Sequence, residues 1–172
     1  MANLILQSFK CVEETNEGGS DSPYFVIFHG NPTSPNAAKV KRIRKQSWDT
    51  TVDSGETVQA NSFVIDGVGT SSIVLAAFME EDSNPDISAA DLTSIENHMR
   101  TFFTAFSASG TTPQNQLTFQ MTLEFFNALL PRIENDELCG LAPLKITTTS
   151  GLLPLLKFTG DGGNYRVQFK TQ

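Results

Sequence analysis

The residues of this sequence that could do chemistry are mostly carboxylates, and they occur in three clusters. Each cluster stands at the end of a predicted strand. The members are Glu13, Glu14, Glu17 and Asp21; Glu80, Glu81, Asp82 and Asp86; and Glu134, Asp136 and Glu137. Calcium takes about six to eight oxygen ligands from carboxylates, carbonyls and water. Because unpaired carboxylates repel one another, acidic loops that converge often hold a cation. The clusters therefore make a calcium site the first hypothesis.

The first cluster resembles a known calcium-binding loop. The segment TNEGGSDSPYFVIF, residues 15–28, is similar to the first calcium loop of C2 domains, which reads Asp-x-x-Gly-x-Ser-Asp-Pro-Tyr before a hydrophobic strand. The matching residues are Gly18, Ser20, Asp21, Pro23 and Tyr24. Ser22 is an insertion of one residue before the proline. Thr15 stands where the family has its first aspartate, so the neighbouring Glu14 would have to replace that ligand.

The other two clusters resemble the remaining parts of the same site. C2 domains carry an Asp-x-Asp pair at the end of an apolar strand, and Glu80 and Asp82 have that spacing in FMEED. The family's later segment, Asp-Asp-x-Ile-Gly, is similar to NDELCG, with Asp136 and Glu137 at the paired positions. The resemblance therefore implies a calcium site formed by Glu14, Asp21, Glu80, Asp82, Asp136 and Glu137.

The C2 resemblance covers about residues 3–30, 71–86 and 134–170. It implies an antiparallel sandwich of eight strands whose loops at one end bind calcium and anionic phospholipid headgroups. Many C2-like domains bind no metal and serve as interaction modules. The alternative function is therefore a metal-free interaction protein, or a toxin- or effector-type protein of bacterial character.

Enzymatic chemistry has less support. The sequence contains two histidines, His29 and His98, and no GxSxG, HExxH or GxxxxGK[ST] motif. Cys11 and Cys139 have no CxxC-type spacing and are expected to be buried thiols. A glycoside hydrolase needs only two carboxylates across a groove, so a hydrolase with paired carboxylates is the third hypothesis. We expect a protein that is not an enzyme.

Composition and charge limit the partners. The chain has 172 residues, of which 39% are hydrophobic and 18% charged, as in a single folded domain. No apolar run approaches the roughly 20 residues that span a bilayer, and the N-terminus lacks the features of a signal peptide. We therefore expect a cytoplasmic protein, or one exported without a classical signal peptide. The net charge of −7 argues against nucleic-acid binding, which needs clustered Lys and Arg. The expected partners are an anionic phospholipid surface reached through calcium, or a protein.

Runs of β-branched and aromatic residues between turn formers predict the strands. The expected strands are 3–12, 23–30, 39–45, 57–67 and 71–82, with three shorter candidates in 141–172. The glycine-rich segment 159–165 predicts a hairpin turn. Strands, then helices, then strands indicate an antiparallel, C2-like β-sandwich over 1–172 with a helical insertion at 87–133.

Two helices are predicted within this insertion. Ser88 and Asp91 have the spacing of a capping box, which predicts a helix over 88–106. Thr112 as N-cap and Pro113 at the first helical position predict a second helix over 113–131. Both helices carry an apolar stripe that we expect to pack in the core: Leu92, Ile95, Met99, Phe102 and Phe106 on the first, and Phe119, Leu123, Phe126, Leu130 and Ile133 on the second. Residues 117–125 also alternate between apolar and polar types, so a strand is an alternative there.

Overall fold

The computed structural model describes residues 1–15, 22–44, 52–81, 87–108, 110, 112–133, 136–160 and 162–172. Within these ranges the chain forms ten strands and two α-helices. The strands are β1 (Ala2–Glu13), β2 (Pro23–Gly30), β3 (Lys39–Ile43), β4 (Thr57–Val58), β5 (Ser62–Val68), β6 (Ile73–Glu80), β7 (Glu137–Pro143), β8 (Gly151–Leu152), β9 (Leu156–Gly160) and β10 (Gly163–Thr171). The helices are α1 (Ala89–Ala108) and α2 (Gln114–Leu129), and a 3-10 turn over Leu130–Arg132 follows α2.

The strands form two sheets, and each pairing between described strands is antiparallel. In sheet I, β1 and β10 pair along their lengths; β4 and β5 flank β1, while β8 and β9 flank β10. Sheet II has the order β3-β2-β6-β7. The predicted β-sandwich with two inserted helices is confirmed.

Strands β2 and β6 are the central strands of sheet II, and every residue in both is buried. Their side chains alternate between the two faces of the sheet. On the inner face, Phe25 and Phe78 pack against sheet I. On the outer face, Phe28 and Leu75 pack against the helices. The protein therefore has three layers, and coverage on both faces explains why these strands read as continuous apolar runs.

The core between the two sheets is built around Phe78. Its ring centroid lies 4.7 Å from that of Phe25 and 4.3 Å from that of Tyr165. These spacings fall in or near the range that aromatic pairs prefer. Cys11 and Cys139 are buried in the same core, as the sequence predicts.

The capping box at the start of α1 is confirmed. The Ser88 hydroxyl oxygen accepts a hydrogen bond from the Asp91 amide at 3.2 Å, and the Asp91 carboxylate accepts one from the Ser88 amide at 3.1 Å. The hydrogen bonds from the Ser88 hydroxyl and amide lower the pKa of Asp91 below its ordinary value. Of the predicted stripe, Ile95 and Met99 are buried, and Phe103 completes the buried face.

Residues 117–125 are helical, so the strand alternative is wrong. The helix starts at Gln114 with Pro113 at the N-cap position, one residue later than predicted. The larger error concerns its predicted core stripe, because four of its members are exposed: Phe119, Leu123, Phe126 and Leu130. The buried face consists instead of Leu117, Met121, Phe125, Ala128 and Leu129. The helix carries two apolar faces, and hydrophobic periodicity alone does not say which one meets the sheet.

Smaller differences concern the edges of the sandwich. The predicted strand 57–67 is divided into β4 and β5, and Asn61 between them has a φ of +42°. In β3, the basic residues Lys41 and Arg42 are partly buried. Lys41 donates to the Val64 carbonyl at 2.9 Å, and Arg42 donates to the Ile87 carbonyl at 2.5 Å. These bonds tie the edge strand to sheet I and to the start of the helical layer.

Candidate functional site

Residues within or next to the three acidic clusters lie at neighbouring positions on one end of sheet II. Pro23, the first residue of β2, pairs with Glu80, the last residue of β6. Glu80 in turn pairs with Glu137, the first residue of β7. The strand register therefore places the ends of the three acidic segments side by side, which sequence alone does not establish. We call this region the acidic end.

Two of the predicted carboxylates at the acidic end are buried and bonded to donors of the same chain. The Glu80 carboxylate accepts a hydrogen bond from the Ser22 amide at 2.9 Å. The Asp136 carboxylate accepts one from the Tyr24 hydroxyl at 2.5 Å. Each side chain is only 4% exposed. Buried charges need such partners, so these bonds have a structural role whatever else the residues do.

A third buried carboxylate, Glu81, pairs with Arg44 at 2.6 Å. Arg44 follows β3, whose last residue Ile43 pairs with Phe25 near the start of β2. Arg44 lies within the strand predicted over 39–45, and no feature of the sequence pairs it with Glu81. Its role as a counter-ion at the acidic end depends on sheet order, for which the sequence has no direct signal.

Of the four remaining predicted ligands, Glu14 and Glu137 are described and two are not. Glu14 interacts with Ser54 in the chain before β4: its amide donates to the Ser54 hydroxyl at 3.1 Å, and its carboxylate accepts from the Ser54 amide. Asp21 and Asp82 lie outside the described residues.

The described carboxylates at the acidic end do not all face the same way. Glu80 and Glu137 are directly opposite each other and lie on the inner face, by alternation from Phe78. Asp136 bonds to Tyr24, which belongs to the outer face covered by the helices. Among the described residues, no group of three or more acidic, histidine or cysteine side chains is placed to hold a metal ion.

A different surface feature lies between α2 and β7. Phe119 is 66% exposed, Leu123 47%, Phe126 37% and Leu130 53%. Their spacing of four, three and four residues places them in one row along the helix. The first three line a groove of about 410 Å³, together with Leu138 and Leu141 of β7. We call this the α2–β7 groove.

The two histidines occupy different environments. His29 lies near the end of β2, and its Nε2 atom is 3.3 Å from the Ser72 hydroxyl. Burial lowers the pKa of His29; Asp66 opposes this effect and Lys39 adds to it. His98 joins the two helices, since its Nε2 atom lies 3.2 Å from the Glu124 carboxylate.

Comparison with known proteins identifies no family for this chain. No protein-family model matches it, and no curated protein matches it significantly. Within the described part of the chain, neither helix combines the length and apolar character needed to cross a membrane.

Proposed function

We propose that this chain is a metal-independent binding module that takes an amphipathic helix of a partner protein in the α2–β7 groove. The observation that carries the proposal is the row of exposed apolar side chains at Phe119, Leu123, Phe126 and Leu130. Large apolar side chains that remain exposed in a continuous row mark interaction surfaces more often than those scattered singly. A helix lying in a groove is recognised through apolar residues at intervals of three and four.

The size of the row favours a single helix as the occupant. The four exposed fractions correspond together to about two whole side chains, or roughly 400 Å² of apolar surface. A stable complex between folded proteins buries about 800 Å² on each partner. The row is therefore too small for a stable dimer on its own, while a helix in the groove would also contact Leu138 and Leu141 on the opposite wall.

Charge favours a basic partner over a second copy of the chain. Glu124 is the only charged residue in the sequence of α2, and it pairs with His98 of α1. The row itself is neutral, but the whole chain carries a net charge of −7. A second copy would bring two negative molecules together, whereas a helix with a basic polar face would be attracted. We therefore infer a partner helix with an apolar face and Lys or Arg on the other face.

The test uses a probe peptide of about 14 residues, roughly four helical turns, with Leu on one face and Lys on the other. Its binding is followed by fluorescence anisotropy in EDTA at about 150 mM salt, where long-range attraction is screened. We expect saturable binding that Leu123→Gln weakens about tenfold or more, because central apolar contacts dominate helix recognition. Leu152→Gln is the matched control, since Leu152 is 63% exposed on β8 of sheet I.

A scrambled peptide of the same composition controls for nonspecific charge attraction. Equal binding of both peptides, or equal effects of the two leucine substitutions, would refute the α2–β7 groove as the binding surface. Binding that requires calcium would refute metal independence.

A second candidate function is calcium-dependent binding of anionic phospholipid at the acidic end. The strand register favours it, because the ends of the three acidic segments are neighbours. Calcium at about 100 times its dissociation constant would add about 2.7 kcal/mol of stability, which raises the melting temperature by roughly 5–10 °C for a domain of this size. The test compares melts in EDTA and in calcium for the wild type and for Asp82→Asn. No shift at millimolar calcium, or the same shift in the variant, would count against this function.

A further inference from the structure

A cavity of about 560 Å³ lies at the end of sheet II away from the acidic end. Ser72 and Ile73 line it at the start of β6, Thr118 lines it from α2, and Lys145 and Ile146 line it from the chain after β7. Pockets of about 300–1,000 Å³ with apolar walls and a few polar groups are typical of small-molecule sites. The dimensions of the cavity therefore suit a small organic ligand.

The apolar wall of the cavity is already held in place. Ile73, Leu144 and Ile146 line it and are buried in the two hydrophobic cores of the protein. The Leu144 amide donates a hydrogen bond to the Val74 carbonyl at 2.8 Å, which fixes the chain after β7 against β6. A ligand would meet a preformed surface and would need little rearrangement of the protein.

The charge in the cavity is positive, unlike the charge of the chain. Among the described residues that line it, Lys145 is the only one with a charged side chain. Gln114 and Asn115 also line the cavity, and they form the first turn of α2, where the amide groups give a positive potential. These local positive groups favour an anion in the cavity, although the net charge of the whole chain is −7.

Ser72 can add a neutral donor at the inner end. Its hydroxyl oxygen accepts a hydrogen bond from the Gly69 amide at 3.0 Å and lies 3.3 Å from His29 Nε2. In the tautomer with hydrogen on Nε2, both neighbours donate to this oxygen. The hydroxyl hydrogen is then left to donate into the cavity. Burial lowers the pKa of His29, which keeps the ring neutral at physiological pH.

We propose that this cavity binds a small organic carboxylate with an apolar tail. The carboxylate is held by the Lys145 ammonium and the Ser72 hydroxyl, and the tail lies on Ile73, Leu144 and Ile146. This inference does not depend on the proposed function, because the α2–β7 groove is lined by different residues.

The experiment compares octanoate with 1-octanol, which has the same number of carbon atoms and no charge. Each is titrated into the labelled protein, and the readout is the backbone amide NMR shifts. We expect octanoate to bind about two- to fivefold more tightly than octanol, as an exposed ion pair allows. The shifts should be confined to residues 69–74, 114–118 and 143–147. Lys145→Gln should remove the preference for octanoate and leave octanol binding unchanged.

Lys157→Gln is the matched control, because Lys157 is an exposed lysine on β9 of sheet I. It should leave both affinities unchanged. Equal affinity for octanoate and octanol would overturn the proposal, as would an unchanged preference in Lys145→Gln. Shifts confined to Phe119, Leu123 and Phe126 would also overturn it, because they would place the tail in the α2–β7 groove.

Discussion

His29 illustrates how one buried side chain links the fold to pH. Burial lowers its pKa in the folded state, so the unfolded chain binds the proton first as the pH falls below about 6.5. The stability that depends on the neutral His29 ring is therefore fully present above about pH 6.5. It decreases as the pH falls towards the lower pKa of His29 in the folded state. Asp66 and Lys39 act on the ring in opposite directions without changing this sign.

We expect the free energy of unfolding, measured by urea titration, to rise between about pH 5 and pH 7.5, and His29→Gln to flatten that rise. His98→Gln serves as the comparison, since that ring lies on the helical layer beside Glu124. A wild-type profile that is flat, or one equally flattened by both substitutions, would contradict this role for His29.

At the residue scale, the acidic clusters show which features of the candidate site can be predicted from the sequence and which cannot. Their types and their positions at strand ends are visible in the sequence, and the C2 resemblance adds an expectation about calcium. The partners are not visible: Ser22 lies 58 positions from Glu80, and Tyr24 lies 112 positions from Asp136. Such pairs depend on strand register, which long-range packing sets.

At the scale of elements, α1 packs closely against β2 at Gly30. A methyl group added at Gly30 would lie 2.5 Å from a ring carbon of Phe103, a side chain that is fully buried. Phe103 also packs edge-on against Phe28, with ring centroids 5.7 Å apart. The helix can approach the sheet this closely only because residue 30 has no side chain.

We therefore expect Gly30→Ala to destabilise the protein by about 1–3 kcal/mol through overpacking, and Phe103→Ala by about 3–5 kcal/mol through loss of burial. The double variant should lose clearly less than the sum, because each change makes room for the other. Chemical denaturation of the four proteins measures this coupling. Additive losses would show that the two residues do not share the same space.

For α2, the sequence predicts the type of element correctly but not which face of the helix is buried. Its helical state and approximate ends follow from the start signal and from Pro131 after its end. Its orientation does not, because Met121 and Phe125 on one face and Leu123 and Phe126 on another are all apolar. Which face of α2 is buried depends on the shape of the outer face of sheet II. A local sequence pattern carries no information about that shape.

At the scale of the whole molecule, the three layers make the helical insertion part of the core. The apolar runs of β2 and β6 predict strands, and the order of elements predicts a sandwich with inserted helices. Neither feature shows that α1 and α2 cover the outer face of sheet II. Tyr24, Val26, Phe28, Leu75 and Met79 all pack in the cluster that contains the buried faces of α1 and α2.

Replacement of residues 87–133 by a short Gly-Ser linker is therefore expected to abolish the native state and not to leave a smaller sandwich. Each large apolar side chain returned to water costs about 1.5–3 kcal/mol, so five of them approach the total stability of about 5–15 kcal/mol typical of a domain. The measurements are near-UV circular dichroism, dye binding to exposed apolar surface and sedimentation. Insertion of the same linker after Gly110, between the helices, controls for the linker itself and should leave a native spectrum. A cooperative melt of the deleted protein as a monomer would show instead that sheet II is stable without its helical cover, because β2 and β6 would then be held by the sandwich core alone.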